Sequence, residues 1–523
     1  PAAGMRRIRE GDSLEPGVPR TTDSFRQPDR TFTLVAHDEF TQDGRTFAKG
    51  EDESWTAVEK PDDVNKGIAF YNASKDYVTT EDGMLTITVR ANQTKWREWS
   101  WEKHRMHHRF KNYTSAMIQG WNKFCFTGGI FELRVKMPGV AYGGGMWPAA
   151  WLMGNLARAT YDQSTAGVWP WSYDTCDKSA RHTQQISACN GKPGYGLNPY
   201  QGRGAPEMDI FEVMPAPTDN DMPFMSNSLQ VAPGIKQHRP RNGHPINSSQ
   251  TWYDTMRIGE HGSMNYGFWG QLCNGLDFSV KYLQDALSVN SPLNSTHWEE
   301  FHTYRIEWKP GPGGYLEWYL DGQFMMGIDA STLTDKTGAL IPEEPMYLIL
   351  NIAMSPTWGM PQPCDMNACH ACYNCYDCHN EECQCPLPKA LKQCGSMPAT
   401  MYVDYVRVFQ DTEDPYQSVG CDPPSHPTAK FIAAHPERYQ DWTPPQEPPL
   451  SLLFWGLIFA LALAAVVALC VGAVKCRDRC GKQRAYRVLS GVDPSGAENG
   501  VTMITTSPIM ESRKATETTR LVP

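Results

Sequence analysis

Glu207-Met208-Asp209-Ile210-Phe211-Glu212 puts three carboxylates into six residues of otherwise apolar chain, directly after the loop-like Gly202-Arg203-Gly204-Ala205-Pro206. Side chains alternate between the faces of a strand. Glu207 and Asp209 therefore share a face, and Glu212 falls on the other unless a bulge at Ile210 or Phe211 brings it back. Two carboxylates about 5–5.5 Å apart suit a retaining glycosidase, in which one attacks the anomeric carbon and the other first gives and then takes a proton. In that reading Glu207 is the nucleophile, Glu212 the acid/base, and Asp209 hydrogen-bonds the nucleophile and separates the two pKa values. The same six residues also suit an acidic, solvated edge strand, so the rest of the chain has to decide.

A strand carrying these acids must sit in a sheet. Short β-rich runs recur at Phe32–Phe40, Met84–Arg90, Gly129–Met137, Glu207–Val213, Tyr304–Trp308, Leu316–Leu320, Tyr347–Ile352 and Met401–Phe409, with turn signals such as Pro310-Gly311-Pro312-Gly313-Gly314 and Asp321-Gly322 between them. The pattern predicts an all-β fold, an antiparallel β-sandwich. Unpatterned stretches at 91–115, 155–206 and 355–400 read as long functional or cross-linked loops. Residues 1–30 read as a flexible arm and 31–410 as the sandwich. Residues 411–449, with nine prolines, read as a semi-rigid stalk holding one short helix around Thr428–His435.

Charge and cysteine usage narrow the partners. A formal charge of −10 over 523 residues argues against nucleic acid. Leu450 to Val474 run 25 residues without a charge, enough for one transmembrane helix. Lys475, Arg477, Arg479, Lys482 and Arg484 follow, so the positive-inside rule predicts a cytosolic tail at 475–523 and a luminal or extracellular body. No apolar leader precedes that body, which a processed or truncated start at Pro1 would explain. Glycosylation sequons at Asn72, Asn92, Asn112, Asn247 and Asn294 agree with export. Thirteen of the sixteen cysteines precede the apolar run, eight of them from Cys364 to Cys394, which predicts a disulfide-rich insert and one ectodomain thiol left free or pairing between chains. A zinc site on Cys369, Cys372, Cys375 and Cys378, near His370 and His379, is the competing reading. Thiolates exported through an oxidising lumen seldom stay available for metal, so no metal or other cofactor is expected.

Seventeen tryptophans fill cores or stack on sugar rings. Trp147 and Trp151, four apart on a predicted strand, share a face that is either a stacking floor or sandwich core. Trp169 and Trp171 alternate in the same way within a long loop, and Arg203 suits either a sugar hydroxyl or a brace for the loop before the acids.

Several blocks resemble one family. Tyr71–Thr80, Trp121–Gly129, Trp147–Leu156, Gly202–Glu212, Phe301–Trp308 and Val403–Val408 are similar to the β-glucan synthesis-associated branch of the family 16 glycoside hydrolase clan, fungal cell-wall proteins required for β-1,6-glucan and their algal and oomycete relatives. The resemblance spans about residues 32–435. It implies a concanavalin-like β-jelly roll with an open polysaccharide cleft on its concave face, and the roles already given to Glu207, Asp209 and Glu212. The activity it implies is a membrane-anchored retaining transglycosylase that makes β-1,6-branched β-glucan for a wall or a store, with β-glucan as donor and acceptor and a glucan synthase as partner. A β-1,3-glucan hydrolase and a non-catalytic glucan-binding scaffold are the alternatives. The fungal members carry their anchor before the catalytic domain, whereas the apolar run here follows it, so Golgi, other endomembrane and plasma membrane all stay open.

Overall fold

The computed structural model describes residues 4–9, 11–142, 144–216, 221–234, 256–265, 267–268, 270, 272–355, 357–358, 378, 395–448 and 455–471. Runs rich in β-branched and aromatic residues form β1 (Thr31–Asp38), β2 (Met84–Val89), β3 (Met117–Gln119), β4 (Gly129–Lys136), β5 (Met146–Gly154), β6 (Glu207–Met214), β7 (Phe224–Val231), β8 (Asp285–Pro292), β9 (His302–Lys309), β10 (Tyr315–Leu320), β11 (Gln323–Asp329), β12 (Met346–Met354) and β13 (Ala399–Gln410). They build two large antiparallel sheets. One runs β1-β13-β4-β9-β10-β11, with β2 also on β13; the other runs β8-β7-β6-β5-β12-β3. Phe131, Leu133, Ile306, Trp308 and Trp318 of the first meet Leu152, Met208, Phe211, Leu350 and Ile352 of the second in one core. Each such side chain contributes about 1.5–3 kcal/mol by leaving water. The predicted all-β sandwich is the architecture observed.

The segments flanking the sandwich depart from expectation. The described residues of the 1–30 segment are not a free arm: Arg6–Arg7 and Thr21–Asp23 both pair with β1, Met5 joins the core, and Ser24 Oγ and Phe25 N donate to Glu307 at 2.5 and 2.7 Å. An open strand edge offers unpaired backbone groups, and the arm satisfies them. Nor is 411–449 a stalk, because the compact unit extends to Gln446. The short helix α1 (Ala429–Ala434) forms where expected, but the segment is strapped to the sandwich. A Cys125–Cys421 disulfide closes a separation of 296 residues, worth about 6 kcal/mol in the chain-entropy picture. Arg158 donates to Tyr439 O and Asp441 Oδ1, both at 2.8 Å, and Tyr439 stacks on Trp121. Proline stiffens a strap as well as a stalk, and only the aromatic partners waiting on the sandwich tell the two apart.

The second unit starts at Glu447. Residues 455–471 are helical with exposed apolar side chains, and among the described residues no helix is long and apolar enough to cross a membrane. The ends of the expected 450–474 span and the tail at 475–523 lie outside the described residues. Asn92 and Asn294 are exposed and Asn72 and Asn112 half-buried, while Asn247 also lies outside. Cys176 pairs with Cys189, and Cys378, the one described cysteine of the 364–394 insert, is disulfide-bonded. Among the described residues no group of three His, Cys, Asp or Glu side chains is placed to hold a metal.

Candidate active site

Register decides which side chains of β6 share a face. Against β5, Trp151 stands opposite Asp209 and Ala150 opposite Phe211, so Ile210 is an extra residue; against β7 the register shifts between Asp209 and Glu212. This bulge returns Glu212 to the face of Glu207 and Asp209. Opposite the three acids lie Met153, Trp151 and Ala149 on β5 and Gln230, Ser228 and Ser226 on β7. Ile210 and Phe211, consecutive in sequence, both stay in the core. A bulge frees backbone carbonyls that must find donors. Asn227 Nδ2 donates to Ile210 O at 2.6 Å, and Trp318 Nε1, reaching across from the other sheet, donates to Asp209 O at 2.9 Å. Both donors are buried, and their role is to keep the bulge in place.

The loop before β6 aims the strand. A Cβ on Gly202 would stand 2.1 Å from Tyr173 O, and one on Gly204 2.1 Å from Trp171 O, so these two stretches approach this closely only through glycine. Between them Arg203 is buried, donating from Nε and Nη2 to the two carboxylate oxygens of Glu344 at 2.7 and 2.8 Å and from Nη1 to Pro427 O at 2.8 Å. Arg203 is thus a brace that ties the loop to the strap and is not placed to touch a sugar, which corrects its assignment to substrate binding. Trp171 is corrected too. It is fully buried against Tyr173 and Tyr282, ring centroids 5.6 and 4.7 Å away. Trp169 alone of that pair reaches the acids.

Glu207 and Glu212 are half-buried and Asp209 is buried. Glu207 accepts from Trp169 Nε1 at 2.5 Å and from Gln230 Nε2 at 2.6 Å. The same Gln230 amide reaches Asp209 Oδ2 at 3.2 Å, and Asp209 and Glu207 share a hydrogen bond. Gln284 donates to Gln230 Oε1, which fixes the way that amide faces. Glu212 accepts from Trp147 Nε1 at 3.1 Å. Trp147 lies flat on Trp358, centroids 4.1 Å apart and planes 7° from parallel, and Trp358 donates to Val213 O at 2.9 Å. Trp151, half-buried, donates to Asn351 Oδ1 at 2.8 Å.

Burial pushes all three acids up. Asp209 rises to about 6, against the pull of its hydrogen bonds to Glu207 and Gln230. Glu207 is pushed well above the usual carboxylate range by burial, then by the charge of Asp209 and its hydrogen bond, with Trp169 opposing. Glu212 is raised by burial and the charge of Asp209, with the Trp147 N–H opposing. Three carboxyls this close do not all ionise at once, and Glu207 and Asp209 titrate as a pair. The face therefore presents a hydrogen-bonded carboxyl pair, Glu207 with Asp209, beside a separate raised carboxyl on Glu212. Gln230, Gln284 and Trp358 complete it and escaped the sequence reading. The one signal for the β7 side was the polar alternation in Ser226-Asn227-Ser228-Leu229-Gln230.

The family described as beta-glucan synthesis-associated protein SKN1/KRE6/Sbg1 matches this chain over residues 5–371 and 390–444. The beta-glucan synthesis-associated protein SKN1 of Saccharomyces cerevisiae is 31% identical over 429 residues, covering 78% of this chain and 47% of that protein. The KRE6 protein of Candida albicans is 30% identical over 473 residues, covering 82% and 52%. The chain spans about half the length of the curated relatives it matches. Among solved structures, the laminarinase catalytic domain from Thermotoga maritima is 20% identical with a TM-score of 0.40, over 73% of this chain and 99% of that one. The endo-beta-1,3-glucanase from Pyrococcus furiosus is 18% identical with a TM-score of 0.41, over 75% and 98%.

Proposed function

We propose, for a chain that belongs to the β-glucan synthesis-associated SKN1/KRE6/Sbg1 family, a membrane-anchored retaining β-glucan transglycosylase of the family 16 glycoside hydrolase kind. The observation that carries the proposal is the bulge in β6, which sets Glu207, Asp209 and Glu212 on one face in unlike surroundings. Glu207 attacks the anomeric carbon while Glu212 protonates the departing glycosidic oxygen, leaving a glycosyl ester on Glu207. Glu212, now a base, takes the proton of an acceptor hydroxyl, which attacks the same carbon and frees the Glu207 carboxylate. The N–H groups of Trp169 and Gln230 stabilise that carboxylate before attack and after release, and Asp209, which accepts from the Glu207 carboxyl, takes the proton that must leave before attack.

Water and a sugar hydroxyl use the same Glu212 base, so a β-1,3-glucan hydrolase differs only in the acceptor. The word synthesis in the relatives' names favours transfer, here the making of β-1,6 branches on a β-glucan. Half-buried Trp147 and Trp151 suit the glucosyl rings of donor and acceptor. The uncharged run at 450–474 and the basic residues after it support a single-pass anchor, with the body on the luminal or extracellular side of an endomembrane or the plasma membrane and within reach of a glucan synthase.

The full chain incubated with β-1,3-gluco-oligosaccharides, its products read by mass spectrometry and linkage-sensitive NMR, tests this. Longer products with new 1,6 linkages are expected. Only shorter products would make the protein a hydrolase, and no turnover of any β-glucan donor would leave the scaffold.

A further inference from the structure

The stretch 91–115 contains a hairpin that belongs to neither large sheet: Thr94–Ser100 pairs with Arg105–Lys111 and turns through Trp101-Glu102-Lys103-His104. Its composition is unlike that of the whole. Six Lys and Arg stand against two Glu from 94 to 111, in a chain of net charge −10. Lys95, Arg97, Lys103, Arg105 and Arg109 are exposed, as are Trp101 at 65% and Phe110 at 55%. The chemistry at β6 uses none of them. Exposed indole beside Arg and Lys suits the headgroup layer of a bilayer, where the ring is half solvated and the cations meet lipid phosphates.

The strap gives this surface a direction. Trp442 packs edge-on against Trp96 with ring centroids 6.0 Å apart, and Pro445 O then accepts a hydrogen bond from Trp99 N at 2.7 Å. The strap thus follows the hairpin from base towards tip, and the compact unit ends one residue later, at Gln446. The uncharged run begins at Leu450. Five residues of extended chain from Pro445 reach at most about 18 Å. We propose that the 94–111 hairpin is a membrane-surface foot, its Trp101 and its exposed Arg and Lys side chains lying in the headgroups of the bilayer that 450–474 enters. The tether in this argument rests on the anchor proposed above; the surface chemistry of the hairpin does not.

The test uses the full chain in nanodiscs of phosphatidylcholine, with and without about 30% phosphatidylserine, containing brominated acyl chains that quench nearby tryptophan. The difference between wild-type and Trp101→Ala fluorescence isolates Trp101 from Trp455 in the apolar run. That difference is expected to fall at least about twofold in brominated discs, and further in the anionic ones. The Lys103→Ala/Arg105→Ala/Arg109→Ala triple variant should abolish the extra anionic effect while glucan turnover stays unchanged. An unquenched Trp101 in a chain that stays in the disc overturns the foot and leaves the anchor standing. A chain that separates from the discs removes the anchor. The hairpin is then judged by sedimentation with vesicles of the same lipids, where binding that ignores Trp101→Ala overturns it as well. Protection of Trp101 from aqueous iodide by an acidic peptide or a β-glucan, but not by lipid, overturns it in favour of that partner.

Discussion

Glu207 and Glu212 share one strand and one face, yet their surroundings differ in kind. Glu207 takes two short hydrogen bonds, 2.5 Å from an indole and 2.6 Å from an amide, and donates one to Asp209. Glu212 takes one, at 3.1 Å, from an indole that is itself stacked on another. Donors stabilise a carboxylate's charge, and burial without them stabilises its proton. The contrast teaches how one strand makes two identical side chains unlike: Glu207 shares its donors and a proton with Asp209, whereas Glu212 stands apart on a single indole.

The contrast breaks most completely when Glu207, the nucleophile of the proposed mechanism, goes. Glu207→Gln is expected to cost at least about 10⁴-fold in turnover with every donor, whereas Glu212→Gln should still form the glycosyl-enzyme from an aryl glucoside whose leaving group needs no proton. Burst kinetics with the aryl donor separate the two. Gln230→Leu removes one donor from the anionic end and is expected to lower kcat about 10²-fold with little change in KM. Trp147→Phe keeps the stack on Trp358 but loses the N–H, with a loss of about tenfold. Glu207 must be ionised, so the wild-type rate falls as pH drops through the titration of its pair with Asp209, near 6 for Asp209. Glu212 must be protonated, so the rate also falls as pH rises through its raised pKa. Since the Trp147 N–H lowers that pKa, Trp147→Phe should move the alkaline limb to higher pH.

A separate effect is on stability. Asp209 holds its proton more tightly folded, at about 6, than at its ordinary 3.8, so it subtracts stability as pH rises through that interval. Asp209→Asn should therefore be more stable than the wild type by on the order of 2–3 kcal/mol at pH ~7 and converge on it near pH ~3, although less active. Calorimetry at the two pH values would show it, and a lower midpoint at neutral pH would mean that the Asp209 charge is better compensated than its neighbours suggest.

Much of this site was legible in one dimension because carboxylates in an apolar strand have few structural uses, and because Glu212 reaches its partners only through a bulge. The strands of the sheet holding β4, β9 and β13 were legible as well, through their apolar alternation. β7 was not, since Ser226, Ser228 and Gln230 line the site with polar side chains where a strand is usually recognised by apolar ones. Arg203 and Trp171 look like binding residues beside glycine, and only burial against Glu344, Tyr173 and Tyr282 shows them to be internal supports. The arm and strap misled for a related reason: composition reports how stiff or polar a segment is, but not whether an open sheet edge or an aromatic surface awaits it.

β13 lies between β1 and β4, so the middle of one sheet is filled by residues 399–410 while its neighbours on either side come from before residue 137. A chain made from its N-terminus exposes β1 and β4 to solvent long before the strand that joins them exists. Each waits with a bare edge that no earlier segment can cover. Assembly is consequently late and concerted, and the Cys125–Cys421 bond can lock it only eleven residues after β13 is complete. Loss of residues from the later part of the body therefore removes the middle of a wall and not its rim.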